Sequence, residues 1–105
     1  MASIGKVLGE GQLAASKGTL YTVPASRVAY AKTLVVYNTG AGTETVNLYV
    51  KPASTSRQVL RLSLATLQSY WVDFPLILEA GDLIEGDTTT ATTVNYVIMG
   101  AEEAA

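Results

Sequence analysis

Arg27-Val-Ala-Tyr-Ala-Lys-Thr-Leu-Val-Val-Tyr37 is a run of β-branched, aromatic and small residues that alternates side by side. A period of two places one set of side chains on each face of a sheet. One face carries Val28, Tyr30, Lys32, Leu34 and Val36; the other carries Ala29, Ala31, Thr33, Val35 and Tyr37. Lys32 among apolar neighbours implies that its face leaves the core partway along. The length of the run suits a central strand or one that bends between sheets.

The pattern repeats outward from this run. Thr19 to Val23 is a strand, and Pro24-Ala-Ser26 is a turn in which proline fixes φ at the bend. Asn38-Thr-Gly-Ala-Gly-Thr43 reads as a hairpin loop. In Glu44 to Lys51, Val46, Leu48 and Val50 point one way, and Thr45, Asn47 and Tyr49 the other. Val59 to Leu64 is a strand, although Leu60, Leu64 and Leu67 also fall at helical spacing. Ser69 to Phe74 is aromatic, and Pro75 after it marks an edge or a kink. Leu76 to Glu79, a turn at Ala80-Gly-Asp82, Leu83 to Glu85, a Thr-rich loop from Asp87 and a last strand Thr93 to Met99 complete the series. Short strands punctuated by turn residues imply an all-β, single-domain antiparallel β-sandwich, jelly-roll-like, of seven to eight short strands. No segment supplies the amphipathic helices of a doubly wound fold.

Three parts are expected: residues 1–17 as an N-terminal arm, broken by glycines; 18–100 as the sandwich; and 101–105 as a polar C-terminal tail. The 105 residues suit one domain with a thin core between two sheets. Apolar residues make up 49% and charged ones 15%, which opposes disorder. The apolar surplus reflects either strand composition or contacts between subunits.

The composition removes much chemistry. Without cysteine there is no disulfide scaffold and no thiolate nucleophile or ligand. Without histidine the commonest general base and transition-metal ligand are gone. Serine and threonine abound, but no G-x-S-x-G elbow is present. The acidic stretch Glu79, Asp82, Glu85, Asp87 lacks the order of a calcium loop and reads as turns. Asp73 with Glu85 is the one pair conceivable for glycoside hydrolysis. No cofactor, metal or catalytic residue is therefore expected. A net charge of −2 gives no reason to expect nucleic acid, and no run approaches the ~20 apolar residues of a membrane span. Met1 to Glu10 does not have the form of a secretory signal.

Charge is unevenly placed along the chain. All seven basic residues lie at or before Arg61, and seven of the nine acids follow it, so the two parts carry +5 and −7. Neighbouring copies could match these charges, or strands from both parts could interleave and cancel them.

Leu20-Tyr-Thr-Val-Pro-Ala25, Tyr37-Asn-Thr-Gly40, Val46-Asn-Leu-Tyr-Val50, Leu78-Glu-Ala-Gly-Asp-Leu-Ile84 and Asn95-Tyr-Val-Ile-Met-Gly100 together resemble the small β-sandwich structural proteins of tailed bacteriophage virions. The resemblance spans about Gly18 to Glu103. It implies a non-enzymatic particle component, foremost a capsid decoration or cement protein that bridges capsid subunits. The alternative is a tail-tip or fibre-associated protein contacting host glycan through exposed aromatics. The implied partners are other copies, as a trimer, and major capsid or tail proteins; the implied location is the virion, assembled in the host cytoplasm. The expected contact residues are Ile4, Val7, Leu8 and Leu13 in the arm, and Tyr70 and Trp71 among the aromatics.

Overall fold

The structure, a computed structural model, describes residues 4–51 and 54–104, with the side chains of Ile4 and Phe74 outside the description. Eight strands occupy the described residues: β1 (Ile4–Gln12), β2 (Gly18–Thr22), β3 (Arg27–Asn38), β4 (Glu44–Lys51), β5 (Arg57–Leu64), β6 (Ser69–Glu79), β7 (Leu83–Thr88) and β8 (Val94–Ala104). They form two antiparallel four-stranded sheets, β1-β8-β3-β6 and β2-β7-β4-β5. Successive strands from β1 to β4 and from β5 to β8 alternate between the sheets in pairs, which is the jelly-roll-like sandwich expected from the punctuation. The leucines of residues 60–64 are strand, not helix.

Both ends of the sequence differ from expectation. Residues 4–12, assigned to an arm, form β1, which pairs along its length with β8. Its glycines do not break the strand because the chain needs them there. A Cβ at Gly9 would sit 2.6 Å from the carbonyl oxygen of Leu20 in the facing sheet. Residues 101–104, assigned to a tail, complete β8, and Ala101 and Glu102 are buried.

The core lies between the sheets. Leu34, Val36 and Ile98 of the first sheet meet Val46, Leu48, Leu64 and Ile84 of the second, all essentially inaccessible. Leu8 and Leu13, expected to contact another protein, belong to this core at 8% and 1% exposure. They close the side of the sandwich where β1 and β2 lie together, so they are not available to a partner.

The two faces of β3 do not run unbroken. Ala29 and Ala31 point inward, but so do Leu34, Val36 and Asn38. The register slips between Ala31 and Thr33, leaving Lys32 as an extra exposed residue against β8. A β-bulge of this kind moves all later side chains to the other face. Lys32 thus marks a change of parity rather than a departure from the core. β1 slips one pair further along β8, at Leu8 between the partners of Met99 and Ile98, and β6 passes Lys32 with both Phe74 and Pro75. The slips converge on Met99 and Gly100 of β8 and form a crease across the sheet. A Cβ at Gly100 would run into the carbonyl oxygen of Tyr30 and lie 3.0 Å from the Cα of Ala31. Only glycine admits that approach.

Polar side chains tie the ends. Asn38 is fully buried; its Nδ2 donates to the carbonyl oxygens of Gly42 (2.8 Å) and Leu64 (3.1 Å), and its Oδ1 accepts from Gly40 N–H at 2.8 Å. This residue fastens the β3–β4 loop to the β5–β6 corner. At one end of the core Glu44 Oε1 accepts from Thr88 Oγ1 at 3.0 Å and from Thr90 N–H at 2.7 Å. Burial works to raise the Glu44 pKa, but these donors outweigh it, and the carboxyl is held below its ordinary value. At the other end Glu102 accepts from the Tyr21 hydroxyl and pairs with Lys6 Nζ at 3.3 Å. The Tyr21 bond, aided by Lys6 and opposed by burial, also holds Glu102 low. Burial, with the same bond and the Glu102 charge, pushes the Tyr21 hydroxyl up.

Two outcomes follow. Gly100→Ala should cost about 3 kcal/mol or more in urea unfolding, because backbone on both sides blocks the new methyl. Gly42→Ala, with nothing within 4 Å of its Cβ position, should shift the midpoint little. Because Glu102 and Glu44 both have depressed values, their contribution is present above the unfolded carboxylate pKa of about 4.3 and is lost as pH falls through the lower folded values. Glu102→Gln should cost about 1–3 kcal/mol at neutral pH and reduce the acid-side loss of stability. An unchanged urea midpoint at pH 7, or an unchanged acid limb, would contradict this assignment.

Candidate interaction surface

The outward side chains of the first sheet stand in rows set by the strand register. One row is Trp71, Val35, Val97 and Glu10; the next is Asp73, Thr33, Met99 and Val7. Beyond the crease come Ile77, Tyr30, Ala101 and Gly5. Trp71 is 67% exposed, Val7 51% and Ile77 74%, with Val35, Val97 and Met99 half-buried between them. Isolated exposed apolar residues are normal, whereas a contiguous apolar face marks a site of contact. Polar groups lie around it: Glu10, Asp73 and Lys32, and Tyr30, whose hydroxyl donates to Glu103 Oε1 at 2.6 Å. That hydrogen bond, with burial, raises the Tyr30 pKa.

The outer face of the second sheet is the reverse. Asp87 accepts from Asn47 Nδ2 at 2.8 Å and from the Tyr49 hydroxyl at 2.9 Å. Gln58 donates to Asn47 Oδ1 at 2.9 Å, and Ser56 to Glu85 Oε1 at 2.8 Å. Lys17 Nζ sits 4.5 Å from the centre of the Tyr49 ring. The hydrogen bond to Asp87, then burial, raises the Tyr49 pKa. A face that satisfies its polar groups laterally is suited to solvent.

A third surface lies along the side wall formed by the edge strands β5 and β6. Their inward residues Leu60, Leu62, Val72 and Leu76 pack on the core but are only partly buried, and Tyr70 is 44% exposed. At the corner joining them Leu67 has φ 57° and is 66% exposed. The corner holds this conformation by hydrogen bonds: Leu67 N–H donates to the Asn38 carbonyl oxygen at 2.8 Å and Gln68 N–H to that of Ala65 at 3.1 Å.

The expected contact residues therefore separate. Val7 and Trp71 lie on the apolar outer face and Tyr70 on the side wall, while Leu8 and Leu13 are core. Ile4 pairs with Glu102 in the sheet, and its side chain lies outside the described residues. Ile77, Val35, Val97 and Met99 were missed. Their strand alternation was visible, but which parity faced out depends on the bulges. Of the other aromatics, Tyr21 and Tyr96 are core residues, and the Phe74 side chain lies outside the description.

The acidic residues do not converge. Asp73 stands on the outer face of the first sheet and Glu85 on that of the second, with the core between them. Glu79 and Asp82 close a turn, Glu79 N–H donating to Asp82 Oδ2 at 2.9 Å. Among the described residues no three His, Cys, Asp or Glu groups are placed to hold a metal, and no pocket opens.

No protein-family model matches the sequence, and no curated protein matches it. Solved structures share its fold. A chain of the disulfide-linked pili of Bacillus endospore appendages aligns at TM-score 0.61 and 19% identity, over 98% of this chain and 87% of that one. A chain of the T13 infectious bursal disease virus particle aligns at 0.55 and 12% identity over 96% of this chain, which spans 30% of the viral one. A pentameric capsid protein from metagenomic phage sequences aligns at 0.43, too low to support an argument. At these identities the likeness establishes the sandwich fold alone.

Proposed function

We propose that this chain is a non-enzymatic structural subunit of a virion, a capsid decoration or cement protein that lays the apolar outer face of its first sheet on a capsid protein. The observation that carries this reading is the contrast between the two outer faces: one apolar from Val7 to Trp71, the other a closed polar network. A subunit bound through one face needs that asymmetry. The phage-virion resemblance of the sequence supports it, as does the occurrence of the fold in a virus particle. Many copies reinforce a shell because modest contacts multiply when they act together.

The same fold in pili offers a filament as the other kind of assembly. The pili are disulfide-linked, and this sequence has no cysteine, so covalent linkage of that kind is closed to it. Host glycan contact by the exposed Trp71 is the alternative reading; among the described residues no pocket opens beside it.

Electron microscopy of the parent particle should show many copies on the head, first-sheet face inward. Val7→Glu and Trp71→Ser subunits should fold normally by circular dichroism, yet lose about tenfold or more in occupancy when added to stripped capsids. Copies confined to the tail, or full occupancy by both variants, would overturn the proposal.

A further inference from the structure

The side wall of β5 and β6 lies apart from the apolar outer face of the first sheet. Three features characterise it. Its apolar filling is incomplete: Leu60, Leu62, Val72 and Leu76 are partly exposed, whereas near β1 and β2 Leu8, Leu13, Tyr21 and Val23 are buried and Leu20 is partly buried. Its two strands are both sheet edges, as β1 and β2 are on the opposite wall, so each offers a row of backbone N–H and C=O groups that no strand of this chain pairs. Its charges are sorted: β5 carries Arg57 and Arg61 with no acid, and β6 carries Asp73 and Glu79 with no base.

We infer that this wall binds a second copy of the chain in a two-fold dimer, β5 of each copy alongside β6 of the other. Two sandwiches can meet edge to edge about a two-fold axis in two ways. An axis across the sheets sets β5 against β5 and β6 against β6, which opposes Arg61 to Arg61 and Asp73 to Asp73. An axis along the strands exchanges the sheets and sets β5 against β6 twice. Like charges opposite one another disfavour the first arrangement, and opposite charges favour the second. In the second arrangement the strands run antiparallel, because β5 and β6 are joined by the short corner at residues 65–68.

Height along the axis is preserved by this rotation. Measured from the corner, Arg61 lies roughly 10 Å up β5 and Asp73 roughly 14 Å up β6, so each comes beside the other's counterpart. Both point outward from their sheets, onto the same face of the joined sheet. The irregularities also agree. β5 is regular from Leu60 to Leu64 and slips at Val59; β6 is regular from Ser69 to Asp73 and then meets Pro75. The two regular segments are those that come opposite. Leu60, Leu62, Tyr70 and Val72 of both copies would complete one continuous core. β5 and β6 run 8 and 11 residues, about 26 and 36 Å, so the near-corner halves that come opposite form an interface below the ~800 Å² per partner of a standard one, completed by the apolar filling between the sheets.

Sedimentation velocity on the full chain at micromolar concentration tests this without any particle. The expected result is a dimer. Arg61→Asp and Asp73→Arg, both at exposed positions, should each weaken it about tenfold or more, and the combined exchange should restore it. Circular dichroism melting of each variant separates loss of pairing from loss of folding. A monomer, a trimer, or a dimer indifferent to the single reversals and not restored by the exchange would overturn the inference. The capsid reading stands or falls separately, through Val7 on the far edge.

Discussion

A two-layer sandwich obliges every strand to give one of its two faces to the core, and here that obligation is met by strands too long to stay in a single register. The crease opposite Gly100 resolves the conflict. β3 inserts a residue between the partners of Gly100 and Met99, β1 one between the partners of Met99 and Ile98, and each changes the parity of its inward side chains there. The Tyr30 carbonyl occupies the space that a side chain at Gly100 would need. The inner face therefore remains apolar on both sides of the crease, through Ala29 and Ala31 on one side and Leu34 and Val36 on the other. The outer face inherits the remainder: Tyr30 and Ile77 below, Val35, Val97 and Trp71 above. The exposed apolar band is the geometric complement of the core, fixed by the same slip.

This explains which parts of the fold were legible. Strand positions follow from local chemistry, and β2 to β7 begin close to where alternation and turn residues put them. Parity does not follow from local chemistry. Lys32 looks like an intruder on an apolar face because the bulge is defined by how β3 aligns with β8, far away in sequence. β1 was hidden for a related reason. Gly5, Gly9 and Gly11 read as breaks, yet Gly9 faces the Leu20 backbone and Gly11 the Tyr96 ring at 3.6 Å. Glycine there makes room for a neighbour in another strand. The candidate surface was legible in the same measure: Val7 was expected as part of the arm and Tyr70 and Trp71 as strand aromatics, but Leu8 and Leu13 cannot be told from Val7 without the register.

The polar groups follow a complementary logic. Asn38, Glu44 and Glu102 are buried, and every one is satisfied by backbone or hydroxyl donors and acceptors. They sit at the ends of the core, where strands leave the sandwich and loops would otherwise bring unpaired groups inside. The Asp87 network on the second sheet achieves the same satisfaction in the open. Polar residues in this chain are thus either closed into local networks or placed at the margins. That leaves the middle of the first sheet's outer face, and the β5–β6 wall, as the places where apolar surface meets solvent.

The division of charge along the chain gains its meaning from the topology. Interleaving distributes acids and bases over both sheets, and much of the imbalance between the two parts disappears within one subunit. It does not disappear where the chain crosses from Arg61 to Asp73, because β5 and β6 are adjacent in sequence, lie on one wall, and are both edges. A protected edge is blunted by proline, bulges or a charge pointing inward. Here Pro75 and the slip at Val59 blunt the half of the wall remote from the corner, while the half near the corner keeps regular backbone, half-buried leucines and charges of opposite sign on its two strands. Protection that stops where complementarity begins distinguishes a wall that selects its partner from one that merely avoids aggregation.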